Sequence, residues 1–407
     1  MQRRTFLIGV GAGVGAGVGG HVTTATSTTG PDRTADPTVD IGSLDGPVGT
    51  LHGAGINGEG VSVGLLDPAG FTPEHPAIAD RVVAHRTFGT VTGDHTHGTT
   101  AAVTLATVAP AASLALVGYA DAADYRRGLA WLADRVDIVV VPASFYAQPD
   151  DGTGPVSRAT AAATSRTPII AAAGNLARRH WRTRLDDAGQ AVEDAVRLRI
   201  TEPARVRCWL TVRAGPTTPS PYQLALRPRD QKLTVAHATP YDADDTPNLR
   251  LAERVFPGTY RLVPAKPPGA TVDVTAASHR LLGGDTTGSI AAPATAPGVL
   301  SVGAAIDGAV APFSSRGGEA TAVDVLGPAQ VRSPPVGAFE GTSAAAAVVG
   351  GIVALARSVI DAPPDRLWRA IRRTSRATDT DATTRGGVVA PVSFIKRLGG
   401  SVEGSQT

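Results

Sequence analysis

Apolar positions along this chain fall into runs of three kinds. Short continuous runs, Val61-Ser62-Val63-Gly64-Leu65-Leu66 and Thr167-Pro168-Ile169-Ile170-Ala171-Ala172-Ala173, predict strands of a parallel sheet buried on both faces. The first ends on Asp67 and the second on Gly174-Asn175, so both deliver a polar side chain to the carboxyl edge, where open α/β sheets place their ligands. A longer run over 344–357 is built of Ala, Val and Gly with no proline, and it predicts a buried helix. The glycine-led turn Phe339-Glu340-Gly341-Thr342-Ser343 enters it, placing Ser343 among the unpaired N–H groups of a helix start, near the positive end of the dipole. His97 opens a second small-residue helix in Asp94-His95-Thr96-His97-Gly98-Thr99-Thr100-Ala101-Ala102.

Between Asn175 and Val299 the period changes to strict alternation. Val196, Leu198 and Ile200 alternate with Arg197 and Arg199. Val206, Cys208, Leu210 and Val212 alternate with Arg207, Trp209 and Thr211. Tyr222, Leu224 and Leu226 continue the pattern, then Leu249 and Leu251, Tyr260 and Leu262, Val272 and Val274. The stretch is far longer than an ordinary loop, and short alternating strands between Pro/Gly turns predict a small β-sandwich inserted into the α/β core. Beyond the long helix, Pro363-Pro364 breaks the chain, and 365–376 predicts an Arg-rich surface helix with Leu367, Trp368 and Ile371 turned inward.

Asp67, His97, Asn175 and Ser343, in that order, are the candidate chemistry. A serine at a helix start suits nucleophilic attack, because the unpaired N–H groups there stabilise the oxyanion that forms. Ser and Thr are equally ordinary helix caps, and Asp67 and Asn175 are each ordinary turn residues when taken singly. Together the four resemble the subtilisin-like serine proteases, the subtilases, whose Asp, His, Ser order is a general feature of that group. Further segments carry the same resemblance: Gly55-Ile56-Asn57-Gly58-Glu59-Gly60-Val61 before the aspartate, Glu74-His75-Pro76-Ala77-Ile78 after it, and Val108-Ala109-Pro110-Ala111-Ala112-Ser113-Leu114 after the histidine helix. Gly298-Val299-Leu300-Ser301-Val302-Gly303-Ala304 and Phe313-Ser314-Ser315-Arg316-Gly317 precede the serine in the same way.

The resemblance implies an α/β fold, a subtilisin-like parallel β-sheet flanked by helices, with catalytic parts at 51–178 and 291–400 and the inserted β-sandwich at 190–285. It implies Ser343 as nucleophile, His97 as general base and acid, and Asp67 as the group that orients the imidazole. Asn175 and the Ser343 N–H would form the oxyanion hole. It places substrate along Ser144, Phe145, Tyr146 and Gly174, with Tyr146 standing where glycine usually leaves room for the P1 side chain. Other departures are Pro68-Ala69-Gly70 after the aspartate, Thr100 in the histidine motif, and Ala347 where the family has proline.

His95 and His97 also form an H-x-H pair that could face a metal beside Asp94 or Asp67, but Gly98-Thr99 after His97 matches the protease pattern better. Asp242-Ala243-Asp244-Asp245 could hold Ca²⁺, although a solvated turn explains it as well. Neither gives a certain cofactor or metal ligand.

Gln2-Arg3-Arg4-Thr5-Phe6-Leu7-Ile8 and the glycine-rich run after it look like a twin-arginine export signal over 1–25, followed by a disordered leader over 26–50. The run is too glycine-interrupted for a membrane span, which needs about 20 apolar residues. The expected location is therefore secreted or cell-surface, with no membrane contact beyond the signal. A leader this short leaves no room for a separate inhibitory pro-domain. Cys208 is the only cysteine, so no internal disulfide forms. A net charge of +2 gives no case for nucleic-acid or membrane-surface binding. The expected function is a secreted serine endopeptidase acting on peptide or protein substrates through an acyl-enzyme intermediate. The alternative is a non-proteolytic subtilase-fold surface binding or assembly protein.

Overall fold

The computed structural model describes residues 39–40, 46–192, 196–215, 222–231, 233–240, 248–333, 337–376 and 384–402. Its centre is an eight-stranded sheet in the order Ala309–Val310, Leu300–Ile306, Ile169–Ala172, Ile138–Val141, Ser62–Asp67, Ser113–Tyr119, Val82–Phe88, with Val325–Pro328 also on Leu300–Ile306. All pairings are parallel except the short Ala309–Val310 strand. Helices cover both faces, which is why the central strands read as continuous apolar runs. On one side Val63, Leu65, Val140 and Ile170 pack with helices Thr96–Val108 and Thr342–Arg357. On the other, Leu66, Val139 and Val141 pack with helices Ala122–Ala133 and Pro155–Ala163. The sheet and its helical layers form a subtilisin-like α/β fold.

The alternating region forms two five-stranded sheets. One is Ala236–His237, Gln223–Pro228, Gly258–Ala265, Arg197–Ile200, Leu281–Leu282. The other is Thr239–Pro240, Asn248–Val255, Ala204–Ala214, Thr271–Ala276, His180–Arg184. Val206, Cys208, Leu210, Leu224, Leu251, Leu262, Val272 and Val274 fill the space between them, and their alternating neighbours face outward. The sandwich starts earlier than position 190, because His180–Arg184 pairs antiparallel with Thr271–Ala276 and buries Trp181 in the same core.

Part of the expected disordered leader is structured. Val39–Asp40 pairs parallel with Val331–Arg332, and Pro47–Gly53 is a helix that buries Leu51 fully beneath the catalytic core. Within the expected leader this concerns the Val39–Asp40 ladder and the helix start at Pro47, while Leu51 opens the expected catalytic part. The candidate Ca²⁺ segment at 242–245 and the export signal lie outside the described residues. The helix after Pro363 spans Pro364–Thr374 and buries Leu367, Trp368 and Ile371, and a last described helix spans Pro391–Leu398.

Candidate active site

Asp67 ends the Ser62–Asp67 strand fully buried, level with Gly118 of the neighbouring strand. Its Oδ1 accepts the Ala69 N–H at 2.8 Å, and its Oδ2 lies 2.7 Å from His97 Nδ1. The carboxylate is thus held by a backbone donor and an imidazole, with no lysine or arginine paired to it among the described residues. Its charge reaches Tyr119: burial first, then Asp67, raises that phenol well above its ordinary range. Tyr119 therefore stays neutral.

His97 sits in the first turn of helix Thr96–Val108. His95 caps that helix in a left-handed conformation (φ 64°), while Asp94 Oδ1 accepts the Thr96 N–H at 3.0 Å. Gly98 explains how the helix comes so close to the aspartate strand. A Cβ there would stand 2.2 Å from the Gly70 carbonyl oxygen and 3.0 Å from Asp67 Cβ. Phe339 packs edge-on against the imidazole with ring centroids 5.3 Å apart. His97 Nε2 is buried and has no hydrogen-bond partner among the described residues.

Ser343 is in the first turn of helix Thr342–Arg357, 4% exposed, after Gly341 at φ 108°, a conformation that side chains resist. This helix packs against Thr96–Val108 through glycine. A Cβ on Gly351 would lie 2.6 Å from Val108 Cβ and 3.2 Å from the Leu105 carbonyl oxygen. Leu105 lies as far beyond His97 as Gly351 lies beyond Ser343, so two helices leaving one edge of a parallel sheet bring their first turns to the same level. The Phe339–His97 contact fixes that end.

Asn175 follows Gly174, which is at φ 102°, after strand Ile169–Ala172. Its Oδ1 accepts both the Thr342 N–H at 3.0 Å and the Thr342 hydroxyl at 3.1 Å, and Thr342 Oγ1 accepts the Gly174 N–H at 3.2 Å. Thr342 therefore ties the asparagine loop to the serine helix and orients the amide. Sequence reasoning missed this role, since threonine before a helical serine reads as a cap.

In the expected substrate stretch Ser144, Phe145 and Tyr146 are all buried. The Phe145 N–H donates to the Ala292 carbonyl at 2.7 Å, and its ring packs between Tyr119 and Tyr125. Tyr146 is 5% exposed and meets Trp209 of the sandwich edge-on at 5.6 Å, while its carbonyl accepts the Thr275 hydroxyl at 3.1 Å. The cavity bounded by Phe145, Tyr146, Leu176, Thr275 and Ala291 holds about 10 Å³, room for one water at most. The inserted domain supplies the Trp209 and Thr275 contacts, which a local motif could not reveal.

The sandwich is also tied to the core by charge. Arg182 bonds both Asp273, at 2.8 Å, and Asp150, at 2.8 Å, and Arg213 contacts Asp150 and Asp151. His180 Nε2 stands 3.2 Å from Asp273 Oδ1, out of line for a full hydrogen bond. No group of three or more His, Cys, Asp or Glu residues that could hold a metal occurs among the described residues. There His97 turns to Asp67 instead of pairing with His95.

Residues 268–390 match the model of the subtilase family, peptidase S8. That stretch contains Ser343 but not Asp67, His97 or Asn175. The structure of the Clostridium perfringens CspB protease superposes with a TM-score of 0.63 at 17% identity, covering 88% of this chain and 96% of that one. The MycP3 protease from the type VII (ESX-3) secretion system gives 0.49 at 19% identity, covering 89% and 90%, and adds nothing to the fold assignment. No curated protein sequence matches the chain. The chain thus carries a subtilisin-like fold, and its segment around Ser343 is similar to the subtilase family.

Proposed function

We propose that this chain is an exported serine endopeptidase that cleaves peptide bonds through an acyl-enzyme on Ser343. The Asp67–His97 contact of 2.7 Å carries the reading. With Nδ1–H donated to Asp67, the imidazole presents Nε2 as its acceptor, and that nitrogen has no hydrogen-bond partner among the described residues, Ser343 included. Ser343 Oγ attacks the scissile carbonyl carbon while His97 Nε2 takes its proton. The resulting oxyanion is held by the Asn175 amide and the Ser343 N–H, and His97 returns the proton to the leaving amine. Water then repeats the sequence on the ester.

Tyr146, packed on Trp209 where the family usually has glycine, is read as restricting the substrate class to short peptides with Gly or Ala before the scissile bond. The same packing favours the second reading, a binding protein that keeps the fold without turnover. Export is inferred from Arg3-Arg4 and the apolar run after them. No helix among the described residues is long and apolar enough to cross a membrane.

Labelling by a fluorophosphonate probe tests the proposal. Wild type is expected to label and Ser343→Ala to remain unlabelled with unchanged melting. Equal labelling of both overturns the serine mechanism.

A further inference from the structure

One face of the Ala204–Ala214 and Asn248–Val255 strand pair is divided into two halves. At one end Trp209, Thr211, Arg213 and Asn248 sit on the catalytic core: Trp209 on Tyr146, Arg213 on Asp150, and Asn248 Nδ2 on the Ala147 carbonyl at 3.3 Å. At the other end the same face continues outward as Arg205, Arg207 and Arg254. Arg205 and Arg254 are direct cross-strand partners, and Arg207 is diagonal to Arg254. Like charges placed opposite one another destabilise a sheet, so folding does not account for them. None of the three side chains has a hydrogen bond or ion pair among the described residues. Arg207 is held below arginine's ordinary range, first by partial burial and then by Arg205 and Arg250. A surface groove of about 430 Å³ runs here, lined by Pro203, Arg205, Ala252, Glu253 and Arg254. Glu253 is its one carboxylate, and Oε1 is engaged by the Arg254 N–H at 2.9 Å.

We infer that this arginine face is a docking surface for an acidic stretch of the polypeptide substrate, an inference that rests on the peptidase reading for the word substrate. Guanidinium forks take carboxylates in paired hydrogen bonds, and three on one rigid sheet match a run of Asp or Glu. Continuity with the candidate site selects the occupant. Trp209 and Leu176 pack together with Tyr146, and Leu176 follows Asn175. From Trp209 to Arg205 the strand advances roughly 13 Å at 3.3 Å per residue. A polypeptide held on the arginines thus enters the cleft from the sandwich side, several residues from its scissile bond. Phe256 is exposed two residues beyond Arg254, so a single-stranded nucleic acid is the competing occupant that the test has to separate.

The test uses the full chain as Ser343→Ala, so that binding is read without cleavage, and a fluorescent hexaglutamate peptide followed by anisotropy. Binding should weaken with rising salt. The triple variant Arg205→Gln/Arg207→Gln/Arg254→Gln should lose at least tenfold in affinity with unchanged melting, and the corresponding triple Lys variant should recover part of it. No binding by the parent, equal binding by the triple Gln variant, or tighter binding of a single-stranded hexanucleotide overturns the inference. In the active chain the same Gln substitutions should raise KM for peptides with a distal acidic run and leave short neutral peptides unaffected. A chain that binds hexaglutamate through these arginines but cleaves no peptide refutes the peptidase reading and leaves the docking face standing.

Discussion

Gly98 lets His97 reach Asp67: the helix bearing the histidine approaches the aspartate strand so closely that a single added methyl would meet the Gly70 carbonyl oxygen at 2.2 Å. The hydrogen bond of 2.7 Å between Asp67 Oδ2 and His97 Nδ1 depends on that approach. Gly98→Ala is therefore expected to lower kcat strongly while KM changes little, together with a fall in melting temperature. Wild-type kcat in this variant would show that the helix has room to move.

Asp67→Asn should keep the fold and lower kcat by roughly 10⁴, the loss typical of triads whose imidazole is turned to the wrong tautomer. Steady-state kinetics on a short peptide measure it. A loss below tenfold removes Asp67 from the mechanism.

Replacing Trp209 by Ala tests whether the sandwich closes the cleft. The ring is 2% exposed and packs on Tyr146, so its removal should cost about 3–5 kcal/mol of stability. It should also widen acceptance before the scissile bond toward Leu and Phe, as should Tyr146→Gly. Peptide-library profiles of the two variants decide this. Unchanged profiles, with wild type already cleaving after Phe, refute the closed cleft.

The charges between sandwich and core give a pH dependence of stability. Burial acts to raise the Asp273 carboxyl, but His180 and Arg182 beside it outweigh burial and hold it below the usual carboxylate range. A folded-state value below the unfolded one contributes stability above the reference value of about 4, and loses it as pH falls through the folded value. Asp150 shifts the other way, raised first by burial and then by the charge of Asp273. Its contribution favours the fold at low pH and is lost as pH rises through its raised value. Asp273→Asn should therefore cost about 3 kcal/mol at neutral pH, as breaking a buried pair does, and the gap to wild type should narrow toward pH 3. Urea unfolding at the two pH values provides the check. A gap that stays constant contradicts the ionised role of Asp273.

Cys208 lies fully inside the sandwich, and burial pushes its thiol up to about 12. It should resist iodoacetamide in the native protein at pH 8 and react in urea. Rapid native alkylation would mean that the sandwich opens.

Much of this molecule was legible from residue order. Apolar runs ending on Asp67 and on Gly174-Asn175 predict the central strands, because a strand covered on both faces has no polar side to show. Alternation around Cys208 and Val272 predicts the sandwich, because one face of each strand meets solvent or the core below. Local pattern could also name Ser343 and His97, since their helices begin with recognisable turns. It could not show that Thr342 would grip Asn175, or that Val39–Asp40 would be paired into a sheet. Nor could it place Trp209 on Tyr146 or Arg182 between Asp150 and Asp273. Those contacts join residues far apart in the chain, and their partners are selected by how the sandwich seats on the sheet. Periodicity records which face of an element is buried; only packing in three dimensions decides what buries it.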